Sequence, residues 1–153
     1  MRRSEKEITD QSKIDKILTQ ERICRIAMID NGLPYVIPMN FGYENGFLYF
    51  HSSKEGRKIE ILKHNPNICV EVETGCEVVE HEKPCNWGMK YMSIIAEGKV
   101  TFLEDIAEKK LALNIVMKKY AGKNDFVFDS SSLNSVLVWS VKIEKITGKK
   151  SGY

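Results

Sequence analysis

The 153-residue sequence is short of everything that would staple, anchor or strongly charge a chain: it has four cysteines, three histidines and four prolines, and 23 Lys and Arg against 21 Asp and Glu, a formal +2. Each shortage excludes something. Cys24, Cys69, Cys76 and Cys85 form no Cys-x-x-Cys pair, whereas structural zinc sites draw ligands from closely spaced pairs. The nearest approach to a ligand set, Cys76, His81 and Cys85, adjoins a segment from Glu71 to Glu82 with five glutamates and no Lys or Arg; it reads as a solvated loop, so no metal is expected. Scattered cysteines of this kind read as reduced and buried. No apolar run reaches the roughly 20 residues of a membrane-spanning helix, and Met1-Arg2-Arg3-Ser4-Glu5-Lys6 leads into charge where a secretory leader would be apolar. The expectation is a cytoplasmic protein with no membrane contact. The balanced charge, with only Lys149-Lys150 as a basic tail, is no nucleic-acid footprint.

What is present is a globular composition, 42% hydrophobic and 29% charged, with no repeat, low-complexity tract or linker, and the length fits one domain, 1–153. Ile8, Ile14, Ile17 and Leu18 have helix-like spacing up to Gln20. From Arg22 to Ile29 the pattern alternates, then Asp30-Asn31-Gly32 turns into Pro34 to Phe41, and Glu44-Asn45-Gly46 turns into Phe47 to Phe50. These turn signals predict a three-stranded antiparallel meander over 22–50. Pro38 cannot donate to a ladder, which places it at an edge, at a bulge or where something else approaches the backbone.

Glu55 to Asn65 reads as a short helix stopped by Pro66, Asn67 to Glu73 as a strand, and the acidic stretch after it as a loop or irregular hairpin. Trp87 and Met89 follow that stretch and read as packing residues, with the lining of a pocket as the alternative. Lys90 to Leu103 reads as a long strand with a bend or bulge at Gly98. Asp105 with Glu108 starts a helix that ends at Ala121-Gly122, with Ile106, Leu113, Val116, Met117 and Tyr120 as its apolar face. After an irregular stretch from Lys123 to Asn134, Ser135 to Ile146 alternates as the last strand. About six strands grouped in meanders, with three short helices, predict an α+β, mainly β, antiparallel sheet or barrel.

Two places could hold chemistry. After Tyr49-Phe50-His51, two serines precede a helix whose first turn contains Gly56-Arg57-Lys58. Free amides and the positive end of the helix dipole favour an anion there, and basic residues oppose that dipole unless an anion is bound. The alternative is a helix capped by Ser53 with both cations solvated. The proline-containing strand, Val36 to Asn40, could turn main-chain donors and acceptors toward a planar ligand, or be a plain edge strand.

Taken in order, Arg2-Arg3, Cys24-Arg25-Ile26-Ala27, Pro34 through Tyr43, Leu48-Tyr49-Phe50-His51, Gly56-Arg57-Lys58, Ser93 through Gly98 and Ile146-Thr147-Gly148-Lys149 resemble the pyridoxamine 5′-phosphate oxidase-like flavoproteins over nearly the whole chain. The resemblance is greatest to the 5-nitroimidazole-resistance (nitroimidazole reductase-related) group. It implies an FMN-binding split β-barrel and a homodimer with FMN sites between subunits. Val36, Ile37, Pro38, Met39 and Asn40 would run along the isoalloxazine, and His51, Ser52, Arg57 and Lys58 would surround the phosphate. Ser93, Trp139 and Lys149 would come from the partner, and His51 would belong to the catalytic centre. The chain lacks the Arg-x-His element of the oxidases proper, so that reaction is not implied. The implied activity is FMN-dependent reduction of a small planar acceptor such as a nitroaromatic. The alternatives are a flavin-binding or redox-sensing module without turnover, and a haem-binding relative using His51 or His64.

Overall fold

In the computed structural model, which describes residues 3–153, eight strands and four α-helices follow one another. They are β1 (Glu7–Ile8), α1 (Gln11–Gln20), β2 (Ile23–Asp30), β3 (Leu33–Asn40), β4 (Gly42–Glu44), β5 (Phe47–Ser52), α2 (Arg57–His64), β6 (Asn67–Val79), β7 (Gly88–Phe102), α3 (Ile106–Ala121), α4 (Ser130–Ser135) and β8 (Leu137–Ser151). All eight strands belong to one antiparallel sheet, ordered β3-β2-β6-β7-β8-β5-β4 with β1 on β8, and the whole is the split barrel that the resemblance implies. Arg2 lies outside the described residues.

The barrel turns on β8. It pairs with β7 from Tyr91↔Ser151 to Phe102↔Trp139, with β5 through Leu137 to Lys142, and with β1 at Gly148 and Lys149. One strand can serve both flanks because the β7–β8 register steps between Glu97 and Gly98, a bulge of the kind that bends a strand and sharpens its twist. A Cβ on Gly98 would stand 2.3 Å from the Lys142 carbonyl oxygen and 2.7 Å from Val141 Cγ1, so only glycine lets the strands approach.

Alternation then decides what is inside. Cys24, Ile26 and Met28 of β2, Leu48 and Phe50 of β5, Ile68, Val70 and Val72 of β6, Ile94 and Ala96 of β7, and Trp139 and Val141 of β8 form the core with Ile14, Ile17 and Leu18 of α1. Phe50 and Trp139 face each other across the ladder, with ring centroids 4.2 Å apart. A smaller cluster of Leu103, Ala112, Leu113, Leu133 and Val138 fixes α3 and α4 to the other face. Lys119 of α3 donates from Nζ to the Leu18 and Glu21 carbonyls, satisfying orphan acceptors at the end of α1.

Several expectations change. The predicted meander does not form, because β4 pairs with β5 and β5 with β8, leaving β3 bonded to β2 alone. β6 runs six residues past Glu73 with a register shift between Thr74 and Glu77, and β8 runs on through the basic tail to Ser151. Ile8 belongs to a strand, and α4 lies in the stretch read as irregular. The α3 boundaries hold: Asp105 accepts from the Ala107 and Glu108 amides, and Gly122 closes the helix in the left-handed conformation. Ile106, placed on its apolar face, is exposed because it stands in the first turn, beyond the cluster.

Substitution at the bend measures its importance. Gly98→Val is expected to lower stability by about 2 kcal/mol through forced overpacking, read as a lower urea midpoint. Gly88→Ala, whose new Cβ would sit an ordinary 3.9 Å from its nearest neighbour, should leave the midpoint nearly unchanged.

Candidate functional site

β3 is an edge strand with two prolines, Pro34 and Pro38, four residues apart and therefore in the same phase. A ladder accepts both only if their ring nitrogens point away from it, toward the open edge. Residues in that phase turn both backbone groups outward, so Val36 and Asn40 present donors there, and Pro34, Val36, Pro38 and Asn40 present acceptors. Ile37 and Met39 have the opposite phase. Their main chain serves β2, their side chains are half-buried and buried, and the Met39 carbonyl accepts from Cys24 Sγ. Of the five residues expected along a planar ligand, three thus address the open edge.

Beside that edge the chain starts α2. Its N-cap is Gly56, at φ 120° and ψ 166°, a conformation essentially confined to glycine. No side chain caps the helix: Ser53, the candidate cap, donates instead to the Glu55 carbonyl. Ile59 and Glu60 N–H reach the Gly56 carbonyl, which leaves the Arg57 and Lys58 amides for solvent or an anion, where the helix dipole is positive. The Arg57 side chain is already engaged. Its Nε donates to Asp30 Oδ2 at 2.8 Å, and its guanidinium lies 4.3 Å from the Tyr35 ring centroid, so it ties the start of α2 to the β2–β3 turn. Asp30 and Tyr35 escaped the sequence reading, where Asp30 was visible only as a turn residue. Lys58 is half-buried and has no ion-pair partner among the described residues.

His51 lies opposite Val138, and Ser52, opposite Leu137, donates to the Ser53 carbonyl. The His51 Nδ1 is buried without a hydrogen-bond partner. Burial lowers the imidazole pKa from its ordinary 6.5, and the Lys58 charge lowers it further. The result is a neutral ring with one nitrogen uncommitted beside a cation and a free helix start. His64 is differently placed: its Nδ1, 2.7 Å from the Glu60 carbonyl, must be the donor.

Trp139 does not join this site. It is 0% exposed and stacked on Phe50, so its side chain belongs to the core. Ser93 and Lys149 do meet, as direct cross-strand partners on β7 and β8, with Glu73 and Glu7 as their outer neighbours. β2 and β6 separate them from the β3 edge. The chain therefore assembles the β3 edge, His51 and the α2 start, and carries Ser93 with Lys149 elsewhere on the sheet. Around Ala27 and Cys69 that sheet surface exposes Ile23, Ile29 and Val36. Among the described residues no three His, Cys, Asp or Glu side chains converge as a metal site; of the cysteines expected to be buried only Cys24 is, while Cys76 and Cys85 are exposed because they lie on and beside the two-stranded end of β6.

The family model described as pyridoxamine 5′-phosphate oxidase matches residues 10–150. The crystal structure of a candidate 5-nitroimidazole antibiotic resistance protein from Bacteroides thetaiotaomicron is 41% identical, with a TM-score of 0.85 over 94% of this chain and 86% of that one. A FAD-binding protein from Mesorhizobium loti is 26% identical, with a TM-score of 0.68 over 95% of this chain and 97% of that one. General stress protein 26 of Bacillus subtilis is 22% identical over 99 residues, 65% of each chain, so the match spans just under two thirds of that protein.

The His51 environment has a pH signature. Below its ordinary pKa of 6.5 the unfolded chain takes up a proton that the folded imidazole resists, so stability falls as pH is lowered and levels off once folded His51 titrates. Urea midpoints at about pH 7.5 and about pH 5.5 should differ more for the wild type than for His51→Gln. Equal differences would show that His51 is not the group responsible.

Proposed function

The chain belongs to the pyridoxamine 5′-phosphate oxidase family, and from that premise we propose that it is a cytoplasmic FMN-dependent reductase of small planar acceptors such as nitroimidazoles. The observation that carries this reading is the α2 start, an uncapped helix N-terminus with Arg57 and Lys58 beside an open, acceptor-rich strand edge. A dianionic monophosphate complements the first, and the rim of a heteroaromatic ring system complements the second. The 41% identical Bacteroides protein supports the acceptor class, and the FAD-binding protein supports a flavin. The single uncapped helix start suits one terminal phosphate, which favours FMN over a dinucleotide.

In this reading the protein binds and orients, while the flavin supplies hydride or electron transfer. The Arg57 and Lys58 amides and side chains hold the phosphate with Ser52, and Arg57 shares its charge between phosphate and Asp30. Val36, Pro38 and Asn40 fix the ring through the main chain. His51, kept neutral by burial and Lys58, would stand beside the flavin as an uncharged ring, its Nδ1 turned into the protein. Ser93 and Lys149 reach the site from a second copy, since their own chain holds them apart from it, and the exposed Ile23, Ile29 and Val36 become the dimer contact.

FMN titration of purified protein should yield a yellow complex that NADH or NADPH reduces anaerobically and a nitroimidazole reoxidises. Flavin bound but reduced by neither donor would instead identify a module without turnover. Lys58→Ala should weaken FMN by about tenfold while leaving riboflavin binding nearly unchanged. An equal loss for both flavins would sink the phosphate assignment.

A further inference from the structure

β6 and β7 outrun their neighbours. β2 last pairs with β6 at Arg25↔Glu71 and β8 last pairs with β7 at Tyr91↔Ser151, yet β6 and β7 remain paired to Val79↔Gly88. Beyond those points the hairpin is a two-stranded arm with no other strand beside it among the described residues. Such a ribbon is marginal in water by itself, and this one is braced. Tyr153 Oη donates to the Gly75 carbonyl at 2.6 Å, at the register shift where the arm departs. Lys90 pairs with Glu77 at 3.8 Å, and Trp87 Nε1 donates to the His81 carbonyl at 2.6 Å.

The bracing leaves apolar surface uncovered. Trp87 is 52% exposed, Met89 48% and Val78 58%, so the packing role expected for Trp87 and Met89 is not met within the chain. Met89, Tyr91 and Ser93 alternate along β7 and share one face. Val78 opposes Met89, Lys149 opposes Ser93, and Lys149 Nζ lies 5.3 Å from the Tyr91 ring centroid. One strip therefore runs from polar Lys149 and Ser93 at the root to apolar Tyr91, Met89 and Val78 further out.

We infer that each protomer's arm lies over the flavin site of a second copy, where Tyr91, Met89 and Val78 form the wall against which a planar, uncharged acceptor packs. This rests on the flavin-dimer reading above, in which Ser93 and Lys149 face the other copy's site. The strip continues outward from them, so its apolar end extends past the flavin. Charge supports the same occupant: Glu80 and Glu82 at the tip have no cationic partner among the described residues, and neither Lys54 nor Lys58 beside the α2 start has an anionic one. A thioether and a phenol ring suit an aromatic acceptor, through sulfur–ring contact and ring stacking.

The test uses flavin-loaded full-length protein and the exposed-site variants Met89→Ala and Val78→Ala. Each should increase acrylamide quenching of bound-flavin fluorescence and raise the KM for a 5-nitroimidazole roughly threefold or more, with the FMN midpoint unchanged. Wild-type quenching and KM in both variants, with FMN bound normally, would overturn the arm assignment and leave the flavin reading standing. A monomer that binds FMN and turns over would also overturn it. Failure of the wild type to take up FMN would overturn the flavin reading and the arm assignment together.

Discussion

Gly98 and the Lys142 carbonyl approach so closely that no side chain fits between them, and the bend this permits determines where every candidate residue stands. Before the bend, β8 pairs with β5 and places Val138 and Leu137 opposite His51 and Ser52. After it, β8 takes β1 on one side and continues along β7, setting Lys149 beside Ser93. The same closure assigns β5 and β4 to one end of the sheet and β3 to the other. An unbent β8 could not serve both flanks, and the two halves of the proposed site would not have these places.

Charge follows the same division. The formal +2 conceals cations gathered at the α2 start and glutamates gathered along β6 and the arm. Arg25 spends its charge on Glu71 and Glu73, and Lys145 on Glu97, all on the outer face of the sheet. These pairs are partly exposed, and such pairs contribute little to stability in water. Their effect is to leave the β2–β6–β7 surface nearly neutral around exposed Ile23, Ile29 and Val36. Arg57 differs because its ion pair with Asp30 joins two elements that the chain separates by 26 intervening residues, and holds the guanidinium over Tyr35.

Local patterns in the sequence carried the local structure. Alternation located β2 and the start of β8, Asp105 and Gly122 bounded α3, and the lone glycine in a long strand marked the bulge. Pairing was not legible. The run from Pro34 to Phe41 reads as the middle strand of a meander that turns at Glu44-Asn45-Gly46, yet the chain leaves β3 at Phe41 and crosses to the opposite end of the sheet. β5 finds β4 across the Asn45-Gly46 turn, but its other partner, β8, lies some ninety residues away, and nothing nearby in the sequence encodes that choice. Gly75 and the glutamates disguised the outer half of β6, and lysines and glycines disguised the end of β8, because propensity is a weak guide where register with a long neighbour decides. What the sequence shows of the candidate site is local chemistry: the two prolines do fall on an edge strand, and Gly56 does start a helix without a side-chain cap. The burial of Trp139 was not legible, because it follows from the pairing of β8 with β5 that sets it opposite Phe50.

What the fold leaves exposed is complementary. β3 offers an unpaired edge interrupted by prolines, which discourages another strand from adding to it while leaving acceptors for a ring system. The arm offers apolar side chains with nothing against them, held in place by Tyr153 at its root. Neither feature is covered within the described residues, since every strand of the split barrel is already placed in the one sheet. In the proposed dimer each becomes the complement of the other: the edge positions the flavin, and the opposing arm limits what reaches its free face. Flavin affinity and acceptor choice would then reside in separate residues, Lys58 and Arg57 for the one, Met89 and Val78 for the other.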